Sequence, residues 1–77
     1  MTATEHLTHI LIFRTNINTE ADKKRVGEIM QAQPLVEDWT VDLDDIDRVL
    51  RVVSQQATTE PIIHLINKVG YQCRELD

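Results

Sequence analysis

The sequence predicts an α+β fold, in which a four-stranded antiparallel sheet carries two helices on one face. Short apolar segments of strand length alternate with two segments whose apolar residues recur at helical spacing. These segments follow the order β-α-β-β-α-β along the chain. The chain has 77 residues and one each of Trp, Tyr and Phe, so we expect a single domain, residues 1–77, with a small aliphatic core.

The first strand is predicted from the segment HILIFRT, residues 9–15. Its length and its Ile and Phe content are typical of a central strand with both faces covered. Its apolar residues do not alternate cleanly with polar ones. The sequence therefore leaves open whether Ile10 and Ile12 or Leu11 and Phe13 face the helices.

The first helix is predicted to begin after Thr19, which is followed three residues later by Asp22. A hydroxyl residue and an acid at this spacing cap a helix start, where the helix dipole also favours carboxylates. Pro34 ends the helix because proline cannot continue its hydrogen bonding. The mostly apolar stripe of this helix consists of Val26, Ile29, Met30 and Gln33.

A β-hairpin is predicted in the middle of the chain. Apolar and polar side chains alternate from residue 39 to residue 43 of the segment EDWTVDLDD, as in a strand with one buried face. The acidic residues 44–47 form the turn, and RVLRVVS, residues 48–54, is the returning strand. The returning strand carries Leu50 and Val52 on one face and Val49, Arg51 and Val53 on the other.

The last third of the chain predicts a helix and a short strand. Thr59 is placed to cap the helix, Pro61 suits its first turn and Gly70 is placed to end it. The segment YQCREL, residues 71–76, is the final strand. The complete order is that of a ferredoxin-like βαββαβ sandwich. The buried stripe of the second helix is predicted as Ile62, Leu65, Ile66 and Val69.

Composition argues against several kinds of partner. The formal charge is −5, with 13 acidic and 8 basic side chains, so the chain lacks the positive surface that nucleic acid requires. No apolar segment approaches the roughly 20 residues of a membrane helix, and the first residues do not read as a signal peptide. The single cysteine, Cys73, suggests a reducing compartment. We therefore expect a cytoplasmic protein with no nucleic-acid or membrane partner.

Three phrases narrow the fold to a family. QPLV at 33–36 resembles the LPGV phrase that follows the first helix of heavy-metal-associated domains. VDLDD at 41–45 resembles their second strand and turn, and INKVGY at 66–71 resembles the end of their second helix. The spacing between the phrases also agrees. The chain thus resembles the heavy-metal-associated domain of copper chaperones and P-type metal ATPases over nearly its whole length.

The resemblance exposes a departure in the loop after the first strand. The family phrase Gly-Met-Thr-Cys-x-x-Cys falls on residues 16–22, NINTEAD. Asn16 is expected to take the positive backbone angle of the glycine, and Ile17 the buried role of the methionine. The third residue of the phrase corresponds to Asn18. Thr19 and Asp22 replace the two cysteines, so the resemblance implies the fold but no copper(I) carriage by this loop and no cofactor.

Other ligand sites are weaker hypotheses. The family position of Lys68 lies beside the metal loop, so Lys68 could pair with Asp22. A relocated zinc or copper site could use His9, His64 and Cys73, with His6 nearby, since the last strand of this fold pairs with the first. No CxxC or HxxxH spacing supports such a site.

The sequence supports neither a calcium-binding loop nor a catalytic site. The acidic segment DLDDID lacks the glycine and the later glutamate of an EF-hand loop, so a solvated turn is the simpler interpretation. The chain has no phosphate loop, nucleophile elbow or HExxH motif. We therefore do not expect an enzyme.

The sequence favours a protein-interaction or oligomerisation module of unknown partner. Binding is expected on the loop side or on the sheet face opposite the helices, where Val49 and Val53 would support a homodimer. The alternative is a metal-responsive domain that uses the relocated His and Cys site. A small-ligand sensor is a third hypothesis that no residue specifically supports. The loop-side candidates are Asn18, Thr19, Glu20 and Lys68.

Overall fold

The computed structural model describes residues 9–56 and 58–76. It contains the six predicted elements in the predicted order. They form a four-stranded antiparallel sheet, order β2-β3-β1-β4, with two helices, which is the ferredoxin-like arrangement. The elements are β1 (His9–Thr15), α1 (Glu20–Gln31), β2 (Val36–Asp42), β3 (Val49–Ser54), α2 (Glu60–Lys68) and β4 (Cys73–Glu75).

The strand β1 is central in the sheet, and its burial pattern shows which residues face the helices. Leu11 and Phe13 are buried in the core, whereas Ile10 on the opposite face is 63% exposed. Because side chains alternate along a strand, Ile10 and Ile12 therefore lie on the open face of the sheet. The buried hydrophobic residues are Leu11, Phe13, Ile17, Val26, Met30, Val41, Leu50, Val52, Ile62, Ile66 and Cys73.

Both helices lie where they were predicted, but only the first has a side-chain cap at its start. Thr19 caps α1 in a complete capping box with Asp22. Thr59 precedes α2, but its backbone is helical (φ −95°, ψ −22°) and its side chain makes no capping hydrogen bond. The predicted side-chain cap at Thr59 is therefore wrong, because an N-cap needs an extended backbone. Gly70 follows α2 with φ +99°, a conformation that favours glycine.

The β2–β3 turn is built from the acidic residues after β2. The carboxylate of Asp42 accepts a hydrogen bond from the amide of Asp44 (3.0 Å), and that of Asp45 accepts one from the amide of Asp47 (2.8 Å). These bonds support the turn locally. Arg48 completes it with φ +48°, and its guanidinium donates a hydrogen bond to the carbonyl oxygen of Leu43 (2.8 Å).

Within the ranges 9–56 and 58–76, neither helix has the length and apolar character needed to cross a membrane.

Candidate functional site

The loop between β1 and α1 lies at one end of the sheet, beside the turn that joins α2 to β4. The buried side chain of Thr15 fixes its start, since the hydroxyl donates to the carbonyl oxygen of Arg48 and accepts from the amide of Ile17 (3.2 Å). Ile17 is fully buried, as expected for an anchor of the loop. The loop therefore has a fixed apolar attachment, while Asn16 and Asn18 on either side are exposed.

The carboxylate of Asp22 is the hydrogen-bonding centre of this loop. Its Oδ2 accepts from the amides of Asn18 (3.3 Å) and Thr19 (3.2 Å). Its Oδ1 accepts from the hydroxyl of Tyr71 (2.7 Å). The Thr19 hydroxyl in turn accepts from the amide of Asp22 (3.0 Å). Thr19 and Asp22, the residues at which the resemblance implies metal ligands, thus both form hydrogen bonds within the protein.

These contacts shift two pKa values. The hydrogen bond from Tyr71 is the main reason that the pKa of Asp22 lies below its usual 3.8. Partial loss of water opposes this shift, and the amides of Asn18 and Thr19 reinforce it. The same contact is the main reason that the pKa of Tyr71 is raised above its usual 10.0. At neutral pH a charged carboxylate therefore faces a neutral phenol.

A second contact ties the loop to the same turn. The side-chain oxygen Oδ1 of Asn16 accepts a hydrogen bond from the amide of Gln72 (2.8 Å). The predicted positive backbone angle at Asn16 is wrong, because Arg48 is the one non-glycine residue with positive φ among the described residues. The amide side chain at this position therefore serves to join two segments.

The predicted pairing of Lys68 with Asp22 is wrong as a direct ion pair. Within the part of the chain that the structure describes, the single ion pair joins Arg14 Nε and Asp47 Oδ1 at 3.2 Å. Asp22 instead accepts a hydrogen bond from the phenol of Tyr71, three residues after Lys68. Lys68 itself is exposed at the end of α2.

Comparison with solved structures identifies the fold. Oxidized MerP from Ralstonia metallidurans CH34 superposes with a TM-score of 0.79 at 12% identity, covering 92% of this chain and 100% of MerP. The apo HMA domain of a copper chaperone for superoxide dismutase gives 0.78 at 18% identity, covering 92% of this chain and 69% of that chain. This is the heavy-metal-associated fold.

A third neighbour has the same fold. The CsoZ metallochaperone gives a TM-score of 0.75 at 21% identity, covering 88% of this chain and 99% of that one. No family model and no curated protein sequence matches the chain. At these identities the likeness shows the heavy-metal-associated fold alone, so the function must be argued from the residues.

The loop of this heavy-metal-associated fold does not fit a soft metal ion. Thiolates select copper(I), whereas a hydroxyl and a carboxylate are hard ligands. The Thr19 hydroxyl and both oxygens of Asp22 already accept hydrogen bonds. A metal would have to displace these contacts and would gain only weak ligands. The chain has one cysteine, Cys73, and it lies in β4.

The relocated site proposed for His9, His64 and Cys73 does not form. His9 pairs with Ser54 at one end of β1, whereas Cys73 pairs with Thr15 at the other. Six residues of strand separate them, roughly 20 Å. Among residues 9–56 and 58–76, no three His, Cys, Asp or Glu side chains cluster as metal ligands. The predicted proximity is wrong because β4 is short and pairs with the far half of β1, and His6 lies outside the described residues.

Burial makes Cys73 a poor ligand as well. The side chain belongs to the hydrophobic core, and removal from water raises the pKa of its thiol to about 12. Metal binding requires the thiolate, which is scarce at neutral pH for such a group.

The open face of the sheet carries Val49 and Val53, as predicted. Both are half-buried, and Val53 pairs with the exposed Ile10 of β1. In the acidic turn DLDDID, the carboxylates of Asp42 and Asp45 accept the backbone hydrogen bonds described above, and that of Asp47 pairs with Arg14.

The sequence alone did not identify Thr15, Tyr71 and Gln72, which lie outside the loop and hold it by hydrogen bonds. Each contacts a residue far away in the chain, so no local pattern marks it. The Gly-Tyr pair after α2 was the available signal for Tyr71, since the resemblance already placed that segment beside the loop.

Proposed function

We propose that this domain is a non-enzymatic interaction module that uses the heavy-metal-associated fold without carrying copper(I) in its loop. One observation supports the proposal: Thr19 and Asp22, at the positions where the resemblance implies cysteines, are joined in a capping box, and Asp22 also accepts a hydrogen bond from Tyr71. The loop keeps the framework of a metal carrier, but protein contacts occupy its ligand positions.

The loop side remains available for a protein partner. Asn18, Thr19 and Glu20 are exposed, and Lys68 at the end of α2 is exposed as well. The contacts of Asp22 and Asn16 with the α2–β4 turn hold this surface in one shape. A pre-ordered surface loses less conformational entropy on binding than a mobile loop does, which supports recognition of a protein.

We also propose that the module lies in the cytoplasm, since a single buried cysteine is compatible with a reducing environment.

The test is native mass spectrometry of tag-free protein, alone and with a modest excess of copper(I) or zinc(II). The proposal predicts that the protein retains neither ion. Stoichiometric retention by the wild-type chain would overturn it. The variant Cys73→Ser then locates the site, because loss of the metal in this variant would assign it to the thiol and not to the loop.

A further inference from the structure

The open face of the sheet has an ordered arrangement of side chains. Strand pairing places Asp38, Val53 and Ile10 in one row across β2, β3 and β1. The next row contains Thr40, Arg51 and Ile12. In the third row, Asp42 pairs with Val49 on the β2 side, and Arg14 pairs with Arg74 on the β4 side.

The charges on this face are separated by sign. The exposed acids Asp38 and Asp42 lie on the edge strand β2, whereas Arg14 and Arg74 lie on β1 and β4 at the opposite side. Between them lie the apolar Ile10, Ile12, Val49 and Val53 together with the exposed Thr40 and Arg51. A shallow groove there is lined by Ile12, Thr40, Asp42, Asp45, Val49, Arg51 and Leu76. The β2 edge of the face thus carries two acids and the β4 corner two arginines, and the apolar side chains between them surround one further arginine, Arg51.

Arg14 and Arg74 lie directly opposite each other in adjacent strands, an arrangement that is unfavourable for like charges. The positive charge of Arg14 is balanced by an ion pair with Asp47, with 3.2 Å between Nε and Oδ1. Within the described residues Arg74 has no such partner. An external carboxylate at this corner would compensate its charge.

We propose that a second copy of this chain covers the open face, with the two-fold axis parallel to the strands. This rests on the proposed interaction function and names its partner. Rotation about that axis places β2 of one copy over β4 and β1 of the other, so that Asp42 faces the partner copy's arginine corner. In the first row Val53 faces Ile10 of the other copy, and in the second row Arg51 faces Ile12.

Charge excludes the other face-to-face arrangement. A two-fold axis perpendicular to the strands would place β2 over β2, so that the acids of this edge face acids of the partner copy. Like charges brought together at an interface are strongly unfavourable. Complementarity therefore selects one register of the dimer.

The size of the face sets the strength of the dimer. Four strands about 4.8 Å apart and about 20 Å long offer roughly 400 Å² per copy. Stable interfaces bury about 800 Å² per partner. The net charge of −5 also makes two copies repel at long range. The dimer should therefore be weak and depend on protein concentration.

The experiment is sedimentation equilibrium of wild type, Asp42→Arg and Arg74→Asp from micromolar to millimolar concentration. Each variant creates two like-charge contacts in its own dimer, and we expect dimer dissociation constants at least about tenfold above that of wild type. An equimolar mixture of the two variants restores both opposite-charge contacts. We expect this mixture to dimerise with an affinity close to that of wild type.

Three results would overturn the proposal: a wild-type chain that stays monomeric at millimolar concentration, variants that dimerise as wild type does, or a mixture that shows no rescue. Rescue by mixing cannot arise from misfolding, since both positions are exposed. None of these results bears on metal retention, so the dimer can fail while the interaction module stands.

Discussion

Tyr71 donates a hydrogen bond to Asp22 across 49 positions of sequence, with 2.7 Å between the phenol oxygen and Oδ1. The bond joins the turn after α2 to the first turn of α1. At a position where the family resemblance implies a metal ligand, this chain has a carboxylate held by its own fold. This carboxylate is thus engaged by a contact inside the protein.

The contact between Asp22 and Tyr71 is predicted to stabilise the domain cooperatively. Tyr71→Phe removes only the hydroxyl, and Asp22→Ala removes the cap and the acceptor together. We expect both variants to lower the free energy of unfolding, Asp22→Ala more than Tyr71→Phe. The double variant should lose less free energy of unfolding than the sum of the two single losses. Urea unfolding measures this coupling.

Lys68→Met is the matched control for that cycle, because Lys68 has no direct ion pair with Asp22. It should leave stability nearly unchanged. Strict additivity of the Asp22 and Tyr71 variants would show that their hydrogen bond contributes nothing.

The same bond predicts how stability depends on pH. The pKa of Asp22 is lowered from 3.8, so its contribution is present above that pH and is lost as the pH falls through the lowered value. The pKa of Tyr71 is raised from 10.0, so its contribution is present below pH 10 and is lost as the pH rises through the raised value.

NMR titration of the Asp22 carboxyl carbon checks this assignment. In wild type its pKa should lie below 3.8, and in Tyr71→Phe it should rise, because the largest cause of the shift is gone. An unchanged pKa in that variant would mean that the backbone amides alone hold the carboxylate.

Gly27 lies so close to Trp39 that a side chain at this position is expected to destabilise the domain. A Cβ at Gly27 would lie 2.3 Å from Cζ2 and 2.5 Å from Cη2 of Trp39. Although alanine gains about 1 kcal/mol of helix propensity over glycine, overpacking costs about 1–3 kcal/mol. We expect Gly27→Ala to lower the free energy of unfolding and to shift Trp39 fluorescence to the red as the ring moves outward.

The combination of Gly27→Ala with Trp39→Leu separates the clash from other effects. In the Trp39→Leu background the added methyl group has space, so Gly27→Ala should no longer destabilise the domain. Equal destabilisation in both backgrounds would contradict the clash.

Cys73 is predicted to be inert in the folded protein. Its pKa of about 12 instead of 9.0 leaves about a thousandfold less thiolate at neutral pH, and the thiolate is the reactive species. Ellman's reagent should therefore react at least about a hundredfold more slowly with native protein than with protein in urea. Equal rates would place the thiol in solvent.

Much of the fold could be predicted because it depends on local signals. The capping pair Thr19 and Asp22 fixes the start of α1, and the alternation at Trp39, Thr40 and Val41 marks a half-buried strand. The β1 segment could not be oriented from its own sequence. Its buried face became clear only from pairing with β3 and packing under the helices.

The candidate site was less predictable because its contacts are long-range. The family position of Lys68 made a pairing with Asp22 one possibility, but the structure brings Tyr71 to Asp22 instead. Asn16 was expected to replace a glycine through its backbone, and it acts through its side-chain oxygen. Cys73 was placed near His9 because the register of a three-residue strand cannot be read from sequence.

We propose that this loop does not carry copper(I) because Thr19 and Asp22 supply no thiolate, and that cysteines at these two positions would create a copper(I) site. The most direct test is competition for copper(I) against the chromogenic chelator bicinchoninate, comparing wild type with the double variant Thr19→Cys/Asp22→Cys and with Thr19→Cys alone. We predict that the double variant withdraws one copper(I) per chain and that wild type withdraws none. Withdrawal by wild type, or a folded double variant that withdraws none, would contradict the account.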